Sequence, residues 1–168
     1  MNAQAVFVTG GTGYMGSALI AALLARGSPV LALTRPGSAS RLPQSAQPVL
    51  GDALDADTFA AAIPRHASIV HLVGTPHPNP AKAAEFVRVD LGSIRASAQA
   101  ASRAGASHIV YVSVAHPAPV MRAYIAARIE GEAVGRRDRD RDDGPAPVVC
   151  ARAGTPLADR ARAAIRVV

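Results

Sequence analysis

The chain has 168 residues, enough for one domain with a substantial core, and is 49% hydrophobic and 18% charged, which excludes a disordered protein. A single cysteine, Cys150, excludes an internal disulfide and a cysteine-rich metal site, and no apolar run reaches the ~20 residues of a membrane helix. The net charge of +6 comes almost wholly from arginine, since Lys82 is the only lysine, and with three Phe, three Tyr and no Trp it points only weakly to nucleic acid. The first residues lack a signal pattern, so a cytoplasmic protein is expected.

Val6-Phe7-Val8 is a short apolar run of the kind a buried parallel strand uses. Thr9-Gly10-Gly11-Thr12-Gly13-Tyr14-Met15-Gly16 follows at once, and Ser17 to Arg26 reads as a helix. Strand, glycine turn and helix in succession form a dinucleotide-binding signature. Gly10 permits the tight turn, Gly13 leaves room for a pyrophosphate, and Gly16 lets the helix lie close to the strand. The helix N-terminus offers N–H groups and positive dipole to phosphate, and Thr9, Tyr14 and Met15 before it are counted with the cofactor site.

Gly27 closes the first helix, and Pro29 to Leu33 is a second apolar strand. Sites that prefer NAD place an acid about 20 residues past the glycines to bind the ribose 2′-hydroxyl. Here Thr34-Arg35 stands there instead, with Arg41 close behind. A guanidinium suits a 2′-phosphate, so NADP is favoured, with NAD as the alternative. An exposed arginine in an arginine-rich chain is the plainer account of Arg35.

Pro48 to Leu50 is a third strand, leaving through Gly51-Asp52-Ala53. Asp52 stands where an adenine amino group would be bound; its plainer role is to cap a helix from Ala56 to Ile63. Ser68 to Val73 is the fourth strand and opens into Gly74-Thr75-Pro76-His77-Pro78-Asn79-Pro80, at a carboxyl end where open α/β sheets take ligands. Val73 and Gly74 are therefore counted with the cofactor site. Ala81 to Arg103 is a long helix closed by Gly105, and His108 to Val114 is the fifth strand. This alternation implies an α/β, doubly wound parallel sheet. The histidines at 66, 71, 77, 108 and 116 lack ligand spacing, so no metal is expected, and His71 reads as a satisfied core residue.

Ser113 lies at the carboxyl end of the fifth strand, and Tyr124 and Arg128, at i and i+4, share a face of a helix running to about Val134. Ser113 could bond a carbonyl oxygen to which Tyr124 passes a proton, a cation beside the phenol favouring its release. The plainer reading of Tyr124 is a half-buried aromatic.

Together, the Thr9–Gly16 motif, Gly51-Asp52, Tyr111-Val112-Ser113-Val114 and Tyr124-x-x-x-Arg128 resemble the atypical and extended short-chain dehydrogenase/reductases. The chain is most similar to NAD(P)H-binding, NmrA-like and complex I 39 kDa subunit-like members over about residues 3 to 134. The resemblance implies a Rossmann fold, an NAD(P) cofactor and a Ser–Tyr–Lys catalytic set. Ser and Tyr map onto Ser113 and Tyr124, but Arg128 stands in place of the lysine. An arginine supplies charge yet does not deprotonate.

Two functions stay open: an NADPH-dependent oxidoreductase acting on a small carbonyl-like substrate, and an NADP(H)-binding sensor or assembly protein without turnover. The expected partners are the dinucleotide and a small-molecule substrate, with neither membrane nor nucleic acid. Residues 1–134 form the binding domain in this reading. From Gly135 onward a charge run and a Gly/Pro cluster suggest a poorly ordered tail, with a degraded sixth strand at 147–152 and a truncated substrate portion.

Overall fold

The computed structural model describes residues 4–114, 121–134 and 148–153. Six strands form one sheet in the order β3-β2-β1-β4-β5-β6, and every neighbouring pair is parallel. They are β1 (Val6–Thr9), β2 (Val30–Thr34), β3 (Gln47–Leu50), β4 (Ser68–His71), β5 (His108–Val114) and β6 (Val148–Ala153). This is the doubly wound Rossmann order expected from the alternation of strands and helices. The chain moves outward from β1 through β2 to β3, then returns to place β4 on β1's other side. That reversal leaves a crevice beyond the carboxyl ends of β1 and β4.

The period-2 alternation of β1 divides the core. Phe7 faces a cluster containing Leu33, Phe59, Ile69, Ile94 and Ile109, while Val6 and Val8 face Leu19, Ile20, Leu23 and Val70. All four β1 residues are fully buried, as a strand covered on both faces requires. Helix α1 (Tyr14–Ala25) covers the second face, and Gly27, at φ +77°, ends it by donating to Leu24 O.

Two helices differ from the sequence reading. Residues 56–63 form two short 3₁₀ turns, Ala56–Thr58 and Ala60–Ala62, rather than one α-helix. Local side chains take over the backbone bonding there: Asp55 Oδ1 accepts from Asp57 N at 3.0 Å, and Thr58 Oγ1 donates to Asp55 O at 2.7 Å. Asp55 is thus the cap, whereas Asp52 Oδ1 accepts from Leu54 N at 2.9 Å.

The long helix is continuous but not uniform. After a 3₁₀ turn (Pro80–Lys82) capped by Asn79, it runs through α2 (Ala83–Glu85), a π-helical stretch (Phe86–Leu91) and α3 (Gly92–Ala104). The wider turn inserts within a helix that must present both Phe86 and Leu91 to the interior, and it also buries Asp90 completely. Gly105, at φ +65°, closes α3. Helix α4 (Arg122–Ala133) packs against the π-helical stretch and carries Tyr124 and Arg128.

Candidate functional site

At the end of β1 the chain turns through Gly10, whose φ of +77° and close approach to Leu72 leave no room for a side chain. Gly13 N donates to Gly10 O at 3.1 Å, closing the turn, and Gly13 then becomes the N-cap of α1. A Cβ on Gly16 would strike Gly10 O and the Gly11 backbone, so Gly16 sets the contact between helix and turn. The N-terminus of α1 has no side-chain cap and no acid in its first turn. Its N–H groups and dipole therefore favour an anion.

A cleft of about 600 Å³ opens on this turn at the carboxyl edge of the sheet. Gly10, Gly13, Arg35, Asp52, Ala53, Val73 and Gly74 line it together, although they come from the ends of β1, β2, β3 and β4. Thr9, Tyr14, Met15 and Gly16 stand outside that lining. Thr9 is buried and bonded to His71, Tyr14 is 81% exposed, Met15 is half-buried, and Gly16 is packed beneath the turn. Ser38 lines the cleft with Arg35 at the end of β2, where no acid stands. Arg41 turns back to the glycine loop, donating from Nη2 to Thr12 O at 3.2 Å.

The second constellation is divided. Arg128 lies 5.2 Å from the centroid of the Tyr124 ring, so the i, i+4 pair forms as the spacing predicts. Its guanidinium also lies 5.5 Å from the centroid of the Tyr111 ring, and Phe86 packs tilted against the Tyr124 ring at 5.0 Å. Arg128 Nη2 donates to Asp90 Oδ1 at 2.7 Å, and Nη1 donates to Val112 O at 3.2 Å and to Tyr111 Oη at 3.3 Å. Ser113 is turned elsewhere: its hydroxyl donates to Glu132 Oε1 at 2.6 Å, deep between β5 and α4.

Charge is managed by burial and pairing. Burial opposes the Arg128 cation, but Tyr111, Tyr124 and Asp90 more than offset it and raise its pKa. Burial pushes the Tyr111 phenol up, with Arg128 acting the other way. His71, fully buried at the end of β4, is lowered to about 3, first by burial and then by Arg128. The neutral ring is satisfied by hydroxyls: Thr9 and Ser97 at Nδ1 (2.9 and 3.0 Å) and Ser93 at Nε2 (3.2 Å).

Sequence reasoning missed Asp90, Thr75 and Glu132. Asp90 and Glu132 have helical neighbours that give no hint of full burial, and only the π-helical turn carries Asp90 inward.

Residues 6–133 match the model of the NAD dependent epimerase/dehydratase family. The chain belongs to this family. It therefore lies among the NAD(P)-binding short-chain dehydrogenase/reductases that its motifs resemble. Among curated relatives of this family member, divinyl chlorophyllide a 8-vinyl-reductase of Oryza sativa subsp. indica is 33% identical over 147 residues, covering 80% of this chain and 36% of that protein. A ketoreductase of Stigmatella aurantiaca acting on 4-hydroxy-2-methyl-3-oxo-4-farnesyl-3,4-dihydroquinoline-1-oxide is 35% identical over 109 residues, covering 64% of this chain and 32% of that protein. The chain spans about a third of the length of these two relatives. Among solved structures, Bordetella bronchiseptica WbmG in complex with NAD superposes with a TM-score of 0.70 at 24% identity, over 89% of this chain and 53% of that one. An Agrobacterium tumefaciens short-chain dehydrogenase/reductase with bound NAD gives 0.68 at 24% identity, over 89% and 48%. These two likenesses show the fold.

Proposed function

We propose that the chain holds NADP(H) across the carboxyl edge of its sheet and turns it over slowly or not at all. The observation that carries the first half is the single cleft onto which Gly10, Gly13, Arg35, Asp52, Val73 and Gly74 converge. Its parts fit a dinucleotide. Gly13 presents bare backbone to the cleft: among the described residues beyond its chain neighbours, a Cβ added there would meet Gly10 O at 3.3 Å. The uncapped start of α1 takes the pyrophosphate charge. Asp52, which lines the cleft, would accept from the adenine amino group in this reading. Arg35 and Ser38 meet the ribose 2′ position, where a guanidinium and a hydroxyl suit phosphate and an acid would repel it.

NADPH supplies a hydride when bound; the chain's own residues decide whether a proton and a carbonyl can meet it. In the oxidoreductase reading Tyr124 is the acid, Ser113 the orienting donor and Arg128 the electrostatic partner. The geometry favours the other reading, a cofactor-binding sensor or assembly protein. The Ser113 hydroxyl is spent on Glu132, and Arg128 is spent on Asp90, Val112 and Tyr111. A lysine ammonium could reach forward to a ribose from this position. The rigid guanidinium, clamped on both sides, cannot do so without breaking a buried ion pair.

Calorimetric titration with NADPH and NADH tests the proposal. Wild type should prefer NADPH, and Arg35→Ala should cost at least tenfold in NADPH affinity while leaving NADH within twofold. Equal losses for both would refute the role of Arg35, and no binding of either would refute the cofactor reading.

A further inference from the structure

The loop after β4 forms one wall of the cleft through Val73, Gly74 and Pro76, and it is fastened from behind by Asp90 and Arg128, which stand outside the cleft's lining. Asp90 Oδ2 accepts both the backbone N–H of Thr75, at 3.0 Å, and its hydroxyl, at 2.6 Å. The other oxygen of the same carboxylate holds Arg128 at 2.7 Å. Gly74 lies directly on that guanidinium: a Cβ added there would sit 2.5 Å from Arg128 Nη2 and 3.2 Å from Asp90 Oδ1. Asp90 is fully buried and Arg128 nearly so, so neither can be replaced by water without cost. The arrangement joins three elements that sequence separates: the β4 loop, the π-helical stretch and α4.

We infer that Asp90, with Arg128 behind it, is a positioning residue that latches the Gly74-Thr75 loop in the shape needed by the nicotinamide half of the dinucleotide. This rests on the cofactor reading above. The adenosine half belongs to the other side of the cleft, at Arg35, Ser38 and Asp52, beyond β1. The latch therefore acts on one half of the ligand only. It also explains why an arginine serves at position 128: its fork bonds Asp90 from one nitrogen and Val112 O from another while its flat face stacks on Tyr124. A lysine ammonium supplies no such face.

The test compares two probes on the full chain: NADPH, and 2′,5′-ADP, which carries the adenosine end alone. Asp90→Asn replaces one of the two acceptor oxygens by an NH₂ group, so either Thr75 or Arg128 must lose its partner. It should weaken NADPH about tenfold and leave 2′,5′-ADP within twofold. Because Asp90→Asn could prevent folding, Thr75→Val provides a milder variant that keeps the ion pair and the backbone N–H bond. Thr75→Val should lower the ratio of NADPH to 2′,5′-ADP affinity at least threefold, and Thr75→Ser, which keeps the hydroxyl, should restore it. An unchanged ratio in folded Thr75→Val, or parallel loss of both probes, overturns the latch. Wild type that binds 2′,5′-ADP but gains nothing from the rest of NADPH also overturns it. Wild type that binds neither probe overturns the cofactor reading itself, and the latch with it.

Discussion

Lowering the pH should destabilise this protein through His71. The ring is fully buried with its pKa lowered from 6.5 to about 3, whereas the unfolded chain protonates it near 6.5. Above 6.5 both states hold it neutral, and its contribution to stability is fully present. Below 6.5 the unfolded state binds a proton that the native state refuses, so stability falls with pH until about 3. Each unit well below 6.5 costs on the order of 1 kcal/mol, so a drop from neutral pH to 4.5 costs on the order of 2 kcal/mol. That is a large share of the 5–15 kcal/mol typical of a domain. Urea unfolding at pH 7.5, 6.5, 5.5 and 4.5, on wild type and on His71→Asn, isolates the effect, because the two proteins differ in this one titratable group. His71→Asn will be less stable at pH 7.5, since Thr9, Ser93 and Ser97 lose contacts, but its stability should decline less steeply with acid. Parallel curves for the two proteins would refute the argument.

Gly13→Val should weaken dinucleotide binding at least tenfold, about 1.4 kcal/mol, because the side chain enters the space a pyrophosphate needs; unchanged affinity in the folded variant would move the site elsewhere. NADPH consumption across a panel of aldehydes, ketones and quinones should be slow or absent, with Tyr124→Phe as control. Robust turnover abolished by Tyr124→Phe would make the chain a competent reductase instead.

The fold was legible because its signals are local and consistent. The apolar run at Val6-Phe7-Val8, the glycines at 10, 13 and 16, and the later runs at 29–33, 68–73 and 108–114 each name their own element, the fourth strand ending two residues earlier, at His71. The position of the cleft was legible for the same reason, since the ends of parallel strands must converge on the switch point whatever their side chains. The π-helical stretch was not. Nothing in Phe86-Val87-Arg88-Val89-Asp90-Leu91 departs from an ordinary helical sequence, and the wider turn arises from what α3 and α4 bury around it. The 3₁₀ turns at 56–62 were missed where Asp55 and Thr58 compete with the helix for backbone groups. Residues 115–120, 135–147 and 154–168, which include most of the expected tail, lie outside the described residues. At Val148–Ala153 the structure forms a strand in register with Ile109–Val114.

The Ser113, Tyr124 and Arg128 set shows where residue identity and spacing stop being enough. The i, i+4 spacing correctly joins Tyr124 to Arg128, but it carries no information about which side of the pair the guanidinium occupies. In the structure Arg128 lies over the ring face while its nitrogens bond backward to Asp90, Val112 and Tyr111. Asp90, 38 residues away in sequence, decides that orientation, and it is inward only because of the wider turn. Likewise Glu132, one turn beyond Arg128 on α4, captures the Ser113 hydroxyl. Both captures follow from one physical demand. A cation or hydroxyl that enters the space between β5 and α4 leaves water behind, so it must find a partner there. Each acid that meets this demand also removes a group from the cleft. In this chain Ser113 and Arg128 are therefore bound into the scaffold behind the cleft.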